Sequence, residues 1–155
     1  MHGGLLPILA LCPLSYFLKK ERFKMLTLAQ DLGNWRLVAL DLQNAYIHIP
    51  ILKSHRCYLR FMVDQEHFQF AVLPFGITSA PRVFTKLMEV VAAHLRRSRF
   101  PVIFHLDDWL LKAGSSQAVV THLQTTADLL HSLGFTMNMP KSHLTPTQTL
   151  PFIGA

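Results

Sequence analysis

The chain has 155 residues, of which 50% are hydrophobic and 15% are charged, so it is long enough to bury one globular core. Its formal net charge of +6 favours polyanionic partners, with nucleic acid the first choice. The only cysteines, Cys12 and Cys57, exclude a disulfide framework and a zinc site built on thiolates, and they favour a reducing, intracellular location.

An apolar stretch runs from Leu5 to Leu18. Pro7 and Pro13 interrupt it, no Lys or Arg precedes it, and it is shorter than the roughly 20 residues that a bilayer span needs. We therefore expect no membrane partner, with a secretory signal as the alternative. We interpret residues 1–25 as the remnant of an element whose beginning is missing.

The first predicted elements are strands. Residues 36–42 (RLVALDL) are rich in aliphatic side chains and predict a buried strand that delivers Asp41. Two shorter β-prone runs, 57–63 and 68–73, flank the polar residues 64–67. This pattern predicts a hairpin with a four-residue loop.

A helix is predicted after the Pro74-Phe75-Gly76 turn. Thr78 or Ser79 is expected to cap it, and Pro81 is tolerated in its first turn because the N–H groups there have no intrahelical partner. The helix is expected to run to about Arg97. Apolar residues at helical spacing predict a stripe that faces the core: Val83, Phe84, Leu87, Met88, Val91, Ala92 and Leu95.

A second hairpin and a second helix follow. Residues 101–106 (PVIFHL) and 109–112 (WLLK) flank Asp107 and Asp108, so a tight turn should present both carboxylates outward. Ser115 or Ser116 is expected to cap a helix that Gly134 ends.

Residues 135–138 and 151–153 are expected to form further short strands. The order of elements predicts an α+β fold, an antiparallel sheet with helices packed on one face, as in split βαβ arrangements.

The carboxylates carry the functional prediction. Asp41 and Asp107 lie 66 residues apart, each at the end of a β-prone run, so adjacent strands can bring them together. Mg²⁺ prefers carboxylate oxygens, and two ions about 3.5 to 4 Å apart can activate a 3′-hydroxyl and stabilise a leaving pyrophosphate. An Asp-Asp pair is also common in ordinary turns, because Asp favours them. The spacing alone leaves both interpretations open.

Five runs resemble motifs A to E of reverse transcriptases, in order: LDLQNAYIHIPI (40–51), LPFGITSAPRVFTKLM (73–88), HLDDWLL (105–111), LGFTMNMPKSHLTP (133–146) and FIGA (152–155). Further runs, among them RFKM (22–25) and AHLRR (93–97), are most similar to DIRS-type retrotransposons, LTR-like elements that pair this polymerase with a tyrosine recombinase. The resemblance implies a right-hand-polymerase palm over residues 26–155, with residues 1–25 left from the fingers. The thumb, the RNase H domain and the rest of a parent polyprotein would be missing.

The resemblance implies an RNA-directed DNA polymerase that adds dNTPs to a primer 3′-OH on an RNA or DNA template. It would use two Mg²⁺ ions, with Mn²⁺ as a possible substitute. Asp41, the backbone carbonyl of Leu42, Asp107 and Asp108 match the metal ligands. Lys141 matches the motif D lysine thought to protonate the pyrophosphate, and a solvated loop lysine is the alternative.

The remaining matches concern the nucleotide and the nucleic acid. Tyr46 matches an aromatic steric gate against a 2′-OH, and a packed strand tyrosine is the alternative. Ala45, Phe75 and Gly76 match positions beside the incoming nucleotide, although Pro-Phe-Gly is also an ordinary turn. The matches to template or primer contacts are Pro81, Arg82, His105, Leu106, Phe152 and Gly154.

Two positions depart from the family pattern. His105 stands where motif C normally has Tyr, and Asn44 stands where these elements usually carry Asp. Further basic side chains could contact template phosphates, namely those of Lys86, Arg96, Arg97 and Arg99. The alternative is that they only form a solvated helix face. A non-catalytic remnant that binds nucleic acid, and a fragment that folds poorly, are the rival interpretations of the whole chain.

Overall fold

The computed structural model describes Leu18 and residues 34–150, which divide into two compact units: Leu18 with residues 46–84, and residues 34–45 with residues 85–150. The predicted strand at 151–153 lies outside the described residues. No helix within the described range is long and apolar enough to cross a membrane. In chain order the elements are β1 (Arg36–Gln43), the 3-10 helices Ala45–His48 and Lys53–Leu59, β2 (Arg60–Val63), β3 (Glu66–Gln69), α1 (Ala80–Arg97), β4 (Val102–His105), β5 (Asp108–Ala113), α2 (Ser116–Ser132), β6 (Thr136–Met137) and β7 (His143–Thr147).

An antiparallel sheet organises the second unit. Its order is β4-β5-β1, and the free side of β1 pairs with β6 at one end and with β7 at the other. The predicted α+β architecture with an antiparallel sheet is therefore confirmed.

Strand β1 is the central strand, and its sequence explains why. Residues 37–40 are buried in succession. Because neighbouring side chains in a strand point to opposite faces, four buried residues in a row mean that both faces are covered. On one face Leu37, Ala39 and Leu110 form a buried cluster. The prediction of a buried strand at 36–42 is confirmed, and the strand extends to Gln43.

Helix α2 begins and ends where the sequence predicts. The Ser115 hydroxyl accepts a hydrogen bond from the Ala118 N–H at 3.2 Å, which satisfies a donor that the first helical turn leaves unpaired. Gly134 follows the helix with φ +88°, a conformation that side chains disfavour. The helix packs against β1, β5, β6 and β7, and its Val119 and Leu130 are fully buried.

Helix α1 also matches its predicted range, but its buried face is narrower than predicted. Phe84, Met88, Val91, Ala92 and Leu95 are buried. Val83 and Leu87 are 39% and 40% exposed, and Val90 is 68% exposed. Helical spacing identified the apolar residues correctly, yet neighbours cover only one side of the apolar surface.

The first predicted hairpin is wrong in its boundaries. Its turn has only two residues, Asp64 and Gln65, and both have positive φ, 48° and 66°. Such turns match the twist of the flanking strands, and Asp tolerates the left-handed conformation. Residues 57–59, predicted as strand, belong to the 3-10 helix Lys53–Leu59. Beyond β3, Val72 forms only an isolated bridge with Pro50.

Strand β7 was not predicted from the sequence. Its Pro146 lacks an N–H group, and proline is uncommon inside paired strands. The strand nevertheless pairs with β1, Thr147 with Leu37 and His143 with Ala39, and the register shifts between these two pairs, in the segment that contains Pro146. The predicted strand at 135–138 is confirmed in shorter form as β6.

Candidate active site

The β4–β5 hairpin carries two of the three candidate carboxylates. His105 pairs with Asp108, so Leu106 and Asp107 form the turn and Asp108 opens β5. Leu106 has φ +54°, which a two-residue hairpin turn needs and which a leucine adopts only under strain. A tight turn is thus confirmed, but it lies one residue earlier than predicted, because Asp108 belongs to β5, and both carboxylates are half-buried where the sequence predicted them to face outward.

Strand β1 brings the third carboxylate to the same place. Asp41 is the direct cross-strand partner of Asp108, and opposed residues have Cα atoms about 4.5 to 5.5 Å apart. The Leu42 N–H donates to the Asp107 carbonyl at 3.0 Å. Because His105 also pairs with Asp108, residues 105, 108 and 41 form one row across three strands.

The aspartates are half-buried and repel one another. Burial raises the pKa of Asp107, and the charge of Asp41 raises it further, whereas a backbone hydrogen bond, Lys141 and His105 oppose the increase. Burial also raises the pKa of Asp108, together with the charges of Asp107 and Asp41 and a side-chain hydrogen bond with Asp41. The site therefore concentrates negative charge that the protein itself only partly neutralises.

The loop between β6 and β7 lies against Asp41. The Asn138 N–H donates to the Asp41 carbonyl at 2.8 Å, and the Asp41 N–H donates to the Ser142 hydroxyl at 3.0 Å. Lys141 is in the same loop, close enough to lower the pKa of Asp107. Ser142 was not among the predicted site residues, since its only signal in the sequence is its position next to Lys141.

The three aspartates suit a divalent ion whose remaining ligands come from a substrate. Within residues 34–150, no group of three or more His, Cys, Asp or Glu side chains is arranged to hold a metal alone. Mg²⁺, however, usually takes only one or two protein carboxylates and completes its shell with water and phosphate oxygens. Asp41 and Asp108 are paired across β1 and β5, and Asp107 directly precedes Asp108 in the turn. Leu42 is buried, and the role of its carbonyl stays a prediction.

Tyr46, Phe75 and Gly76 lie in the first unit. The Tyr46 ring packs against Phe75 at 5.0 Å and edge-on against Phe84 at 5.5 Å between centroids. Gly76 has φ +92°, so the turn needs glycine at this position. Ala45 is buried at the start of its 3-10 helix. Tyr46 is thus held by aromatic neighbours, while its role as a gate stays a prediction.

The basic residues of α1 differ in their surroundings. The Arg96 guanidinium donates to the Val102 carbonyl at 2.9 and 3.2 Å, so it joins the end of α1 to the start of β4. Lys86 and Arg97 are exposed, and Pro81 and Arg82 are half-buried in the first turn of α1. Arg96 therefore has a structural role, whereas the exposed residues remain candidates for phosphate contacts. Phe152 and Gly154 lie outside the described residues.

Comparison with known proteins identifies the family. Residues 10–155 match the family described as reverse transcriptase (RNA-dependent DNA polymerase). The genome polyprotein of Petunia vein clearing virus is 26% identical over 158 residues, which cover 99% of this chain and 7% of the polyprotein. The Transposon Tf2-3 polyprotein of Schizosaccharomyces pombe is 26% identical over 157 residues, covering 99% and 12%.

Solved structures show the same fold. The foamy viral protease-reverse transcriptase in complex with double-stranded DNA aligns with a TM-score of 0.70 at 19% identity, covering 77% of this chain and 20% of that chain. This chain thus spans a small part of each relative it matches. Because the family match extends over nearly the whole sequence, the chain belongs to the reverse transcriptase family.

Proposed function

We propose that this chain is the palm of an RNA-directed DNA polymerase, in which Asp41, Asp107 and Asp108 bind two Mg²⁺ ions. The observation that carries the proposal is the pairing of Asp41 with Asp108 at the end of β1, beside the turn that holds Asp107. Strands fix two of the carboxylates, so little reorganisation is needed when substrate arrives. Mn²⁺ is a possible substitute for Mg²⁺.

The reaction forms a bond between the primer 3′-oxygen and the α-phosphorus of a dNTP and breaks the bond from that phosphorus to the oxygen of the leaving pyrophosphate. The proton of the 3′-hydroxyl passes to water. Divalent ions held by Asp41, Asp107 and Asp108 would lower the pKa of the 3′-hydroxyl and would neutralise charge on the leaving group. Asp41 and Asp108 orient the reacting groups from adjacent strands, with the Leu42 carbonyl as a further ligand. Lys141, on the same side as Asp107, donates a proton to the pyrophosphate.

The nucleotide site is proposed to lie beside Tyr46. Phe75 and Phe84 hold its ring, so the ring is suited to exclude a ribose 2′-OH. Gly76 is exposed and has no side chain to obstruct a nucleotide, whereas Ala45 is buried and is assigned to this site from motif A alone. Template and primer contacts are assigned to Pro81, Arg82, His105, Leu106, Phe152 and Gly154.

Primer extension with Mg²⁺ on RNA and DNA templates tests the polymerase proposal. Asp107→Asn and Asp41→Asn should each reduce incorporation by at least a hundredfold, because each removes a metal ligand. Asp64→Asn is the matched control: it neutralises an exposed aspartate in the β2–β3 turn, where Asn also tolerates positive φ. Equal incorporation by Asp107→Asn and the control would overturn the proposal.

A non-catalytic nucleic-acid-binding remnant is the second candidate, favoured by the net charge of +6. Such a remnant would bind nucleic acid with an affinity that falls as salt rises. The affinity would not change on removal of Mg²⁺ or on substitution of the three aspartates.

The finer assignments are proposals too. We assign residues 1–25 to the fingers, residues 26–155 to the palm, and the parent element to the DIRS type. A tyrosine recombinase encoded beside this sequence would support the DIRS assignment, and a DDE-type integrase there would contradict it.

A further inference from the structure

The partner of β1 changes at Asp41. On one side of β1, Leu37 and Ala39 pair with β7, whereas Leu42 and Gln43 pair with β6. Asp41 lies between these two pairings, where neither strand supplies a regular ladder partner. Its N–H and carbonyl would be left unpaired unless the loop between β6 and β7 provides their hydrogen bonds.

The loop provides both bonds, one of them through a side chain. The Ser142 hydroxyl accepts from the Asp41 N–H at 3.0 Å and donates to the Asn138 carbonyl at 2.8 Å. The Asn138 N–H in turn donates to the Asp41 carbonyl at 2.8 Å. A hydroxyl can donate and accept at once, so a single Ser142 oxygen joins two segments that are 101 residues apart.

The same hydroxyl also closes the turn that carries Lys141. The Asn138 carbonyl accepts from the N–H groups of Lys141 and Ser142 at 3.2 and 3.0 Å, in addition to the Ser142 hydroxyl. The half-buried Ser142 hydroxyl and the Asn138 peptide groups together therefore couple the turn that carries Lys141 to the backbone of Asp41. Asp41 is paired with Asp108 of β5 on one side of β1, and the Ser142 hydroxyl accepts its N–H on the other.

We propose that Ser142 is a positioning residue that holds Asp41 and Lys141 in the arrangement that a divalent ion and its phosphates require. This inference rests on the proposed function. It assigns no direct contact between Ser142 and substrate, because the hydroxyl is already used by Asp41 and Asn138.

Hydrogen exchange of single amides, measured by NMR on the metal-free chain, tests the contact itself. Ser142→Ala should reduce protection of the Asp41 amide at least tenfold, while the Leu42 amide, which donates to the Asp107 carbonyl, keeps its protection. Ser142→Thr keeps the hydroxyl and should restore the Asp41 protection. Ser132→Ala, which removes an exposed hydroxyl at the end of α2, is the control.

Mn²⁺ titration in the presence of a dNTP, followed by electron paramagnetic resonance, then separates positioning from simple stability. At a temperature where every variant is folded, Ser142→Ala should raise the apparent Kd about three- to tenfold, and Ser142→Thr should restore it. If Ser142→Ala fails to fold, Ser142→Cys, with a weak donor of similar size, replaces it in both measurements.

The outcomes distinguish the inference from the function on which it rests. Normal Mn²⁺ uptake by the wild type and an unchanged Kd in Ser142→Ala would overturn the inference alone, as would unchanged exchange at Asp41. A wild-type chain that takes up no Mn²⁺ would overturn the proposed function and the inference together.

Discussion

At the scale of single residues, the candidate site is organised for charge rather than for stability. Asp107 and Asp108 are partly buried beside a third carboxylate, and burial raises the pKa of both. A raised folded-state pKa means that ionisation favours the unfolded chain. These carboxylates therefore destabilise the fold as pH rises above the ordinary pKa of Asp, and the loss is complete above the raised value.

Neutralising one of them should stabilise the chain. Asp108→Asn is expected to raise Tm by a few degrees at pH 7, because Asn keeps a hydrogen-bonding group beside Asp41 and removes the repelling charge. The gain should shrink as the pH falls through the raised pKa of Asp108 and should vanish below about 4, where the wild-type carboxyl becomes protonated in both states. Thermal unfolding followed by circular dichroism over this pH range checks it, and a gain that is independent of pH would contradict the electrostatic cause.

Gly76 provides a prediction about backbone conformation. Its φ of +92° strains any side chain, so Gly76→Ala should lower the free energy of unfolding by about 1 to 2 kcal/mol. Gly114→Ala is the matched control, since Gly114 has no such φ and an added Cβ meets nothing within 4 Å. Urea unfolding measures both variants. Equal losses would show that the turn does not need glycine.

At the scale of elements, the ends of α2 are set by local chemistry. Ser115→Ala removes the hydroxyl that accepts from Ala118 and should lower the free energy of unfolding by about 1 kcal/mol. Ser116→Ala changes the next, exposed residue and should stay within about 0.5 kcal/mol of the wild type. Urea unfolding of the pair provides the measurement, and a larger loss for Ser116→Ala would contradict the assigned cap.

Whether an element could be predicted from the sequence depends on where it gets its stability. Strand β1, α2 and the Asp107 turn were predictable because aliphatic runs, a capping serine and short loops act locally. The β2–β3 turn was not, because its two left-handed residues are Asp64 and Gln65 and it lacks the glycine that usually marks such turns. Strand β7 was not, because its pairing with β1, despite Pro146, depends on a partner distant in sequence. The role of Ser142 was not predictable either, because its partner, Asp41, is also distant in sequence.

At the scale of the whole molecule, the excess of basic residues predicts salt-sensitive binding to nucleic acid. The logarithm of the association constant for single-stranded RNA or DNA should fall linearly with the logarithm of the salt concentration. The slope should be about −0.7 for each phosphate that the protein neutralises. Replacing exposed Lys86 and Arg97 together by Gln should make the slope shallower, and fluorescence anisotropy checks it. A slope unchanged by that double substitution would exclude this face of α1 from the interface.

The polymerase proposal depends on a divalent metal site formed by three aspartates, which β1, β5 and the turn at Asp107 bring together. Titration of the chain with Mn²⁺ in the presence of a dNTP tests this, with bound ion measured by electron paramagnetic resonance. We expect saturable uptake that Asp41→Asn weakens at least tenfold and that Asp64→Asn leaves unchanged. Equal uptake by the wild type and by Asp41→Asn would show that the aspartates do not hold the ion.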